Sequence, residues 1–148
     1  MPKPDKVPIG LQLANAAKAV SRAFNDQLAQ AGGSLPTWLI LTQLKGSEWR
    51  TQHELARAVG IEGPTLTRHV DGLERSGLVV RRRDPGDRRA VQVELTDAGH
   101  ALHAELLQAV IAFDRRLREG LDEEELDQVR EVLGRLAENA GSAARSRV

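Results

Sequence analysis

The 148-residue chain contains no cysteine, which excludes a disulfide framework, a thiolate zinc site and thiol-based redox sensing. No apolar run approaches the length of a membrane span, and Met1 to Pro8 is a short polar Pro/Lys segment without a signal-like apolar stretch. The expectation is a cytoplasmic protein with no membrane partner. Net charge is missing too: 21 basic and 21 acidic side chains cancel, so attraction to a polyanion has to come from local distribution. Nor do the residues form a carboxylate pair, a serine–histidine arrangement or a phosphate-cradling glycine loop. No catalytic residue, enzymatic activity or cofactor is expected.

What charge there is lies unevenly. Between Thr65 and Arg89 stand Arg68, Arg75, Arg81, Arg82, Arg83, Arg88 and Arg89 against only Asp71, Glu74, Asp84 and Asp87. From Ala101 to Ala140 five arginines face ten acids. The middle is basic and the C-terminal third acidic, and a chain of this length holds one ordinary domain.

Periodicity supplies the elements. Leu13, Ala16, Ala17, Val20, Phe24 and Leu28 recur at helical spacing from Ile9 to about Gln30, ended by Gly32-Gly33. A second helix starts at Ser34-Leu35-Pro36 and stops near Gly46; a third opens at Thr51, with Glu54 completing a capping box, and ends at Gly60. After the turn Ile61-Glu62-Gly63 a fourth runs from about Pro64 to Ser76 with Leu66, Val70 and Leu73 inward. Leu78 to Leu95 then switches to alternation about the turn Asp84-Pro85-Gly86-Asp87, predicting a two-stranded hairpin with a charged tip. A fifth helix begins at Thr96-Asp97; a sixth begins at Asp122 with Glu125 and points Leu126, Val129, Leu133 and Leu136 inward. Residues 141–148 read as a disordered polar tail. The expected fold is mainly α with a small β-hairpin wing: a winged helix-turn-helix lobe over 47–96, and dimerisation helices over 9–46 and 97–140. The apolar stripes of those terminal helices lack a partner in so small a domain, which predicts a homodimer.

Helix, glycine-containing turn, helix and hairpin is the order that presents a recognition helix to the major groove of double-stranded DNA. Pro64, Thr65, Thr67 and Arg68 open that helix; Arg68 has the fork to donate twice to guanine O6 and N7, and the threonines suit a thymine methyl or a phosphate. Thr51 caps its own helix and is expected near a phosphate. Arg81-Arg82-Arg83 is either a phosphate-binding run or a solvated strand end, and its place before a wing favours phosphate, with Arg83 nearest the tip. Arg88 and Arg89 stand beside Asp87, and arginine at a wing tip suits the negative potential of a narrow minor groove. His100 and His103 have ligand-like spacing with Glu105 nearby, but without cysteine or a second cluster they read as solvent-facing and no metal is expected.

The segments Leu55-Ala56-Arg57, Gly60-Ile61-Glu62, Pro64-Thr65-Leu66-Thr67-Arg68, Leu73-Glu74-Arg75-Ser76-Gly77-Leu78-Val79, Asp84-Pro85-Gly86-Asp87-Arg88-Arg89 and Leu95-Thr96-Asp97-Ala98-Gly99 resemble the MarR family of bacterial regulators. Around Val59 to Arg68 the chain is most similar to its SlyA-like members. The resemblance spans nearly the whole chain and implies a repressor-type regulator that binds a pseudo-palindromic operator as a dimer. It also implies that Arg89 is the minor-groove arginine, Asp87 its support and Arg88 a phosphate contact. A small aromatic or lipophilic effector is implied in turn, with Ala16, Ala17, Val20, Trp38 and Leu41 as its expected pocket. Two other readings stand beside this one: an architectural DNA-binding protein without effector, and a winged-helix protein-interaction module. The charged wing, in place of aromatic anchors, speaks against the latter.

Overall fold

The computed structural model describes residues 6–46, 50–87 and 90–145. In chain order these form α1 (Ile9–Gln30), α2 (Leu35–Lys45), β1 (Arg50–Thr51), α3 (Gln52–Val59), α4 (Gly63–Arg75), β2 (Val79–Arg83), β3 (Val91–Leu95), α5 (Asp97–Leu117) and α6 (Glu123–Arg145). The chain divides into two units, residues 1–111 and 112–148.

The helix starts follow local chemistry. The Ser34 hydroxyl accepts from the Thr37 amide at 3.3 Å, and that of Thr51 from the Glu54 amide at 3.1 Å. At α6 the box is reciprocal: the Glu125 amide donates to Asp122 at 2.8 Å and the Asp122 amide to Glu125 at 2.9 Å. The α3–α4 turn needs a left-handed residue, supplied by Gly60 at φ 74°.

The core of the first unit joins Leu28 of α1, Ile40, Leu41 and Leu44 of α2, Leu55 of α3, Leu66, Val70 and Leu73 of α4, Val79 and Val93 of the sheet, and Leu106 and Ala109 of α5. Each fully buried Leu, Ile or Val contributes about 1.5–3 kcal/mol of transfer free energy, so α4 is fixed by three anchors spaced along one face. Its C-terminus is tied to α5 by a joint of three contacts. Thr96 donates its hydroxyl to the Gly77 carbonyl at 2.6 Å and its amide to the Leu78 carbonyl at 3.1 Å, and Gly99 packs against the same Leu78 carbonyl.

Three findings depart from the sequence expectations. The wing is a three-stranded antiparallel sheet in the order β1-β3-β2, because Arg50 and Thr51 pair with Val93 and Gln92; two residues are too few to display a strand period. The supposed tail continues α6 as far as Arg145. Val129 and Leu133, expected inward, are exposed at 48% and 44%, and the stripe of α1 is likewise open at Val20 while Leu28 is buried.

Candidate nucleic-acid interface

Helix α4, the expected recognition helix, buries Leu66, Val70 and Leu73 and turns the opposite side to solvent. Pro64, Arg68 and Arg75 are exposed on that side, and Thr65 is half-buried beside them. Pro64 stands within the first turn, where its missing N–H has no helical partner to lose. The same turn carries no acidic residue, and Glu62 precedes it as the N-cap without a side-chain cap hydrogen bond.

Thr67 is placed otherwise than expected. Its hydroxyl donates to the Gly63 carbonyl at 2.9 Å and accepts from Gln52 Nε2 at 2.7 Å. It therefore sits on the flank of α4 that meets α3 and links the two helices, away from the outward row of Arg68. Thr51 lies at the base of the wing, where it forms an open recess of about 270 Å³ with Gln52, His53, Ala90 and Val91.

The three arginines of β2 do three different things. Strand alternation puts Arg81 on the face of Val79, against α4; there it pairs with Asp71 at 2.6 Å and Glu74 at 3.4 Å. Arg82 points the other way, exposed and 3.9 Å from Glu94. Arg83 is exposed at the end of the strand, paired in register with Val91. The expected phosphate run is thus broken at Arg81, whose guanidinium is folded onto the helix. Beyond it the Asp84 carboxylate accepts from the Gly86 amide at 2.8 Å and shapes the turn, and Asp87 is exposed. Arg88 and Arg89 lie outside the described residues.

The residues expected to line an effector pocket have varied surroundings. Leu41 is fully buried in the core, Ala16, Ala17 and Val20 are exposed on α1, and Trp38 is half-buried. Trp38 stacks on His103, with centroids 5.1 Å apart and planes at 16°. His103 is therefore buried and not solvent-facing as its sequence context suggested. Burial first, then the electrostatic influence of Lys45 and His100, holds its imidazole below the usual 6.5. The Lys45 ammonium donates to His100 Nδ1 at 3.3 Å.

Sequence reasoning gave Gln52 no role and counted Asp71 and Glu74 only in the charge balance. The available signal was positional: residues 67, 71 and 74 fall on one row of α4, which faces whatever β2 presents there.

This architecture recurs in known proteins. The MarR family model matches residues 34–91. The transcriptional repressor CouR, solved bound to a 23-mer DNA duplex, is 31% identical over 88% of this chain and 92% of its own, with a TM-score of 0.79. The chain belongs to the MarR family. A MarR family regulator from Rhodococcus sp. RHA1 is 29% identical over 87% of this chain and 91% of its own, at a TM-score of 0.74. A MarR mutant from E.coli complexed with operator DNA shares the fold at a TM-score of 0.77, with 24% identity over 88% of this chain and 94% of its own. Within this MarR chain, the matched segment begins at the cap of α2 and ends in β3, so it contains α3, α4 and the whole of β2.

Proposed function

We propose that this protein is a sequence-specific, DNA-binding transcription regulator of the repressor type that engages a pseudo-palindromic operator as a homodimer. The observation that carries the reading is the exposed outer row of α4: Pro64, Arg68 and Arg75 lie opposite three buried anchors, with exposed Arg83 at the end of the adjoining strand. In this reading Arg68 and Thr65 read base edges in the major groove. Thr51 and Arg83 contact phosphates. Arg89 enters the minor groove with Asp87 as its support and Arg88 beside it, an assignment resting on the wing motif. CouR, a repressor solved on a 23-mer DNA duplex, supports DNA binding by a chain of this fold. The homodimer is supported by apolar side chains left open on α1, α5 and α6, among them Val20, Ile111, Val132 and Leu133.

The finer reading places the chain among SlyA-like members on the Val59 to Arg68 segment. An effector of small aromatic or lipophilic character is proposed for the neighbourhood of Trp38. Binding one dimer conformation better than another, it would change operator affinity by the difference. No described helix is long and apolar enough to cross a membrane, and the cytoplasm is the compartment that this role requires.

Fluorescence anisotropy of the purified protein against duplexes from upstream of its own gene, over a salt series and beside random DNA, tests the reading. Tight binding to one duplex that weakens steeply with salt is the expected result. Equal weak binding to all duplexes contradicts sequence specificity, and no binding at low salt sinks the DNA assignment.

A further inference from the structure

Arg81 is the point at which the wing and the recognition helix meet. Its side chain is 20% exposed. One guanidinium nitrogen, Nη1, lies 2.6 Å from Asp71 Oδ1 and 3.4 Å from Glu74 Oε1, while Nη2 donates to the Thr67 carbonyl at 3.2 Å. The Arg81 amide donates to the other Glu74 oxygen at 3.1 Å. The acceptors come from residues 67, 71 and 74, a single row along α4, and the Thr67 side chain on that row is itself held by Gln52 of α3. One planar group therefore ties the wing strand to three successive places on the helix, and through Thr67 the network reaches α3.

We propose that Arg81 is a positioning residue for operator recognition and touches no DNA itself. This rests on the DNA-binding reading above. A recognition helix and a wing have to meet two grooves of one duplex simultaneously, and the duplex fixes the offset between those grooves. Elements free to shift against each other would lose that freedom on binding, at a cost in affinity; elements already locked do not incur it. Arginine suits the task because its rigid fork satisfies several acceptors in one plane, which a lysine ammonium does not. The clamp has an electrostatic side as well. Asp71 and Glu74, with side chains 46% and 43% exposed, lie on the flank next to the outward row of Arg68, and Arg81 balances their charge there.

The experiment measures anisotropy for wild type, Arg81→Ala, Arg81→Lys, Asp71→Ala and the double variant Arg81→Ala/Asp71→Ala. The probes are a duplex enriched by the wild type from a randomised pool and a random duplex. The readout is the ratio of the two affinities, which a partly unfolded sample leaves unchanged because inactive protein scales both alike; circular dichroism reports the folded fraction separately. Each single variant is expected to lower the ratio on the order of tenfold, and the double variant no further than the worse single one, as for two residues acting through one contact. Arg81→Lys should recover little of the ratio. Asp71→Ala is the decisive arm: it removes a negative charge beside DNA, so electrostatics alone would strengthen binding. If Asp71→Ala binds its operator as well as or better than wild type, the proposal is overturned. It is overturned equally if Arg81→Ala weakens both duplexes alike and lowers the salt slope by about one, which would make Arg81 a phosphate contact. Failure of the wild type to enrich any duplex is a separate result, and it removes the DNA-binding reading together with this one.

Discussion

A methyl group added at Gly99 would fall inside the van der Waals envelope of the Leu78 carbonyl oxygen and within 3.1 Å of a Leu95 methyl. Backbone cannot step aside as a side chain can, so Gly99→Ala is expected to cost about 1–3 kcal/mol, at the upper end, as a fall in thermal midpoint. An unchanged midpoint would mean that the joint between α4 and α5 is looser than its geometry implies. His103 gives a second test at this scale. Its imidazole is held below 6.5 in the fold by burial first and by Lys45 and His100 next. As the pH falls below the ordinary value, the unfolded chain takes up a proton that the native chain refuses, and stability declines; above it both forms are neutral and the group is silent. Between about pH 7.5 and pH 5.5 the midpoint of wild type should drop more than that of His103→Phe, which retains a ring against Trp38. Parallel curves would contradict the assignment. Arg68→Ala is expected to cost about 1–3 kcal/mol in operator binding and to relax preference at one base pair, whereas Arg83→Ala should weaken all sequences and reduce the salt slope by about one. A uniform loss for Arg68→Ala would move it to the phosphates.

Elements were legible where polar caps and apolar periods agree. Ser34, Thr51, Thr96 and Asp122 each open a helix where the sequence indicates, since a side-chain oxygen followed by an amide partner is a local event that tertiary packing leaves alone. Strand β1 was hidden because its pairing depends on Val93 and Gln92, more than forty residues away in the chain. The end of α6 was misread because Gly141 and the polar residues after it suggest a stop, yet a glycine late in a long helix costs only about 1 kcal/mol. Arg81 was misread for the opposite reason: three arginines in a row look like one solvated run, yet the period of two separates Arg81 from Arg82, and Arg83, on the same face as Arg81, stays exposed because it ends the strand. Thr67 shares that fault, since a threonine near a helix start is equally suited to a groove and to a neighbouring helix. Gly60 permits a test of the helix-turn-helix itself. Nothing lies near its absent side chain and its φ is 74°, so Gly60→Ala carries a backbone cost alone, about 1 kcal/mol in a denaturant melt. A much larger loss would point to a clash that the structure lacks.

Across the whole molecule, charge and apolar exposure are segregated. The basic stretch coincides with α4 and the wing, and the acidic stretch coincides with the end of α5 and with α6, so the proposed DNA contacts and the proposed dimer contacts draw on different parts of the chain. Leu133→Glu is accordingly expected to shift sedimentation toward the monomer and to weaken operator binding only through lost pairing of half-sites; a dimer of unchanged mass would remove α6 from the interface.

The contacts of Thr96 and Gly99 with Gly77 and Leu78 have a mechanical reading. They make the meeting point of α4 and α5 a weld and not a hinge, with the part of α5 in the first unit, residues 97–111, as its arm. At about 1.5 Å of rise per residue that arm is roughly 22 Å long, so a sideways step of about 1 Å at its far end is a rotation of about 3° at the weld. In the proposed dimer, each recognition helix then turns with its own lever, and the half-site spacing of the operator is a gauge of the lever's angle.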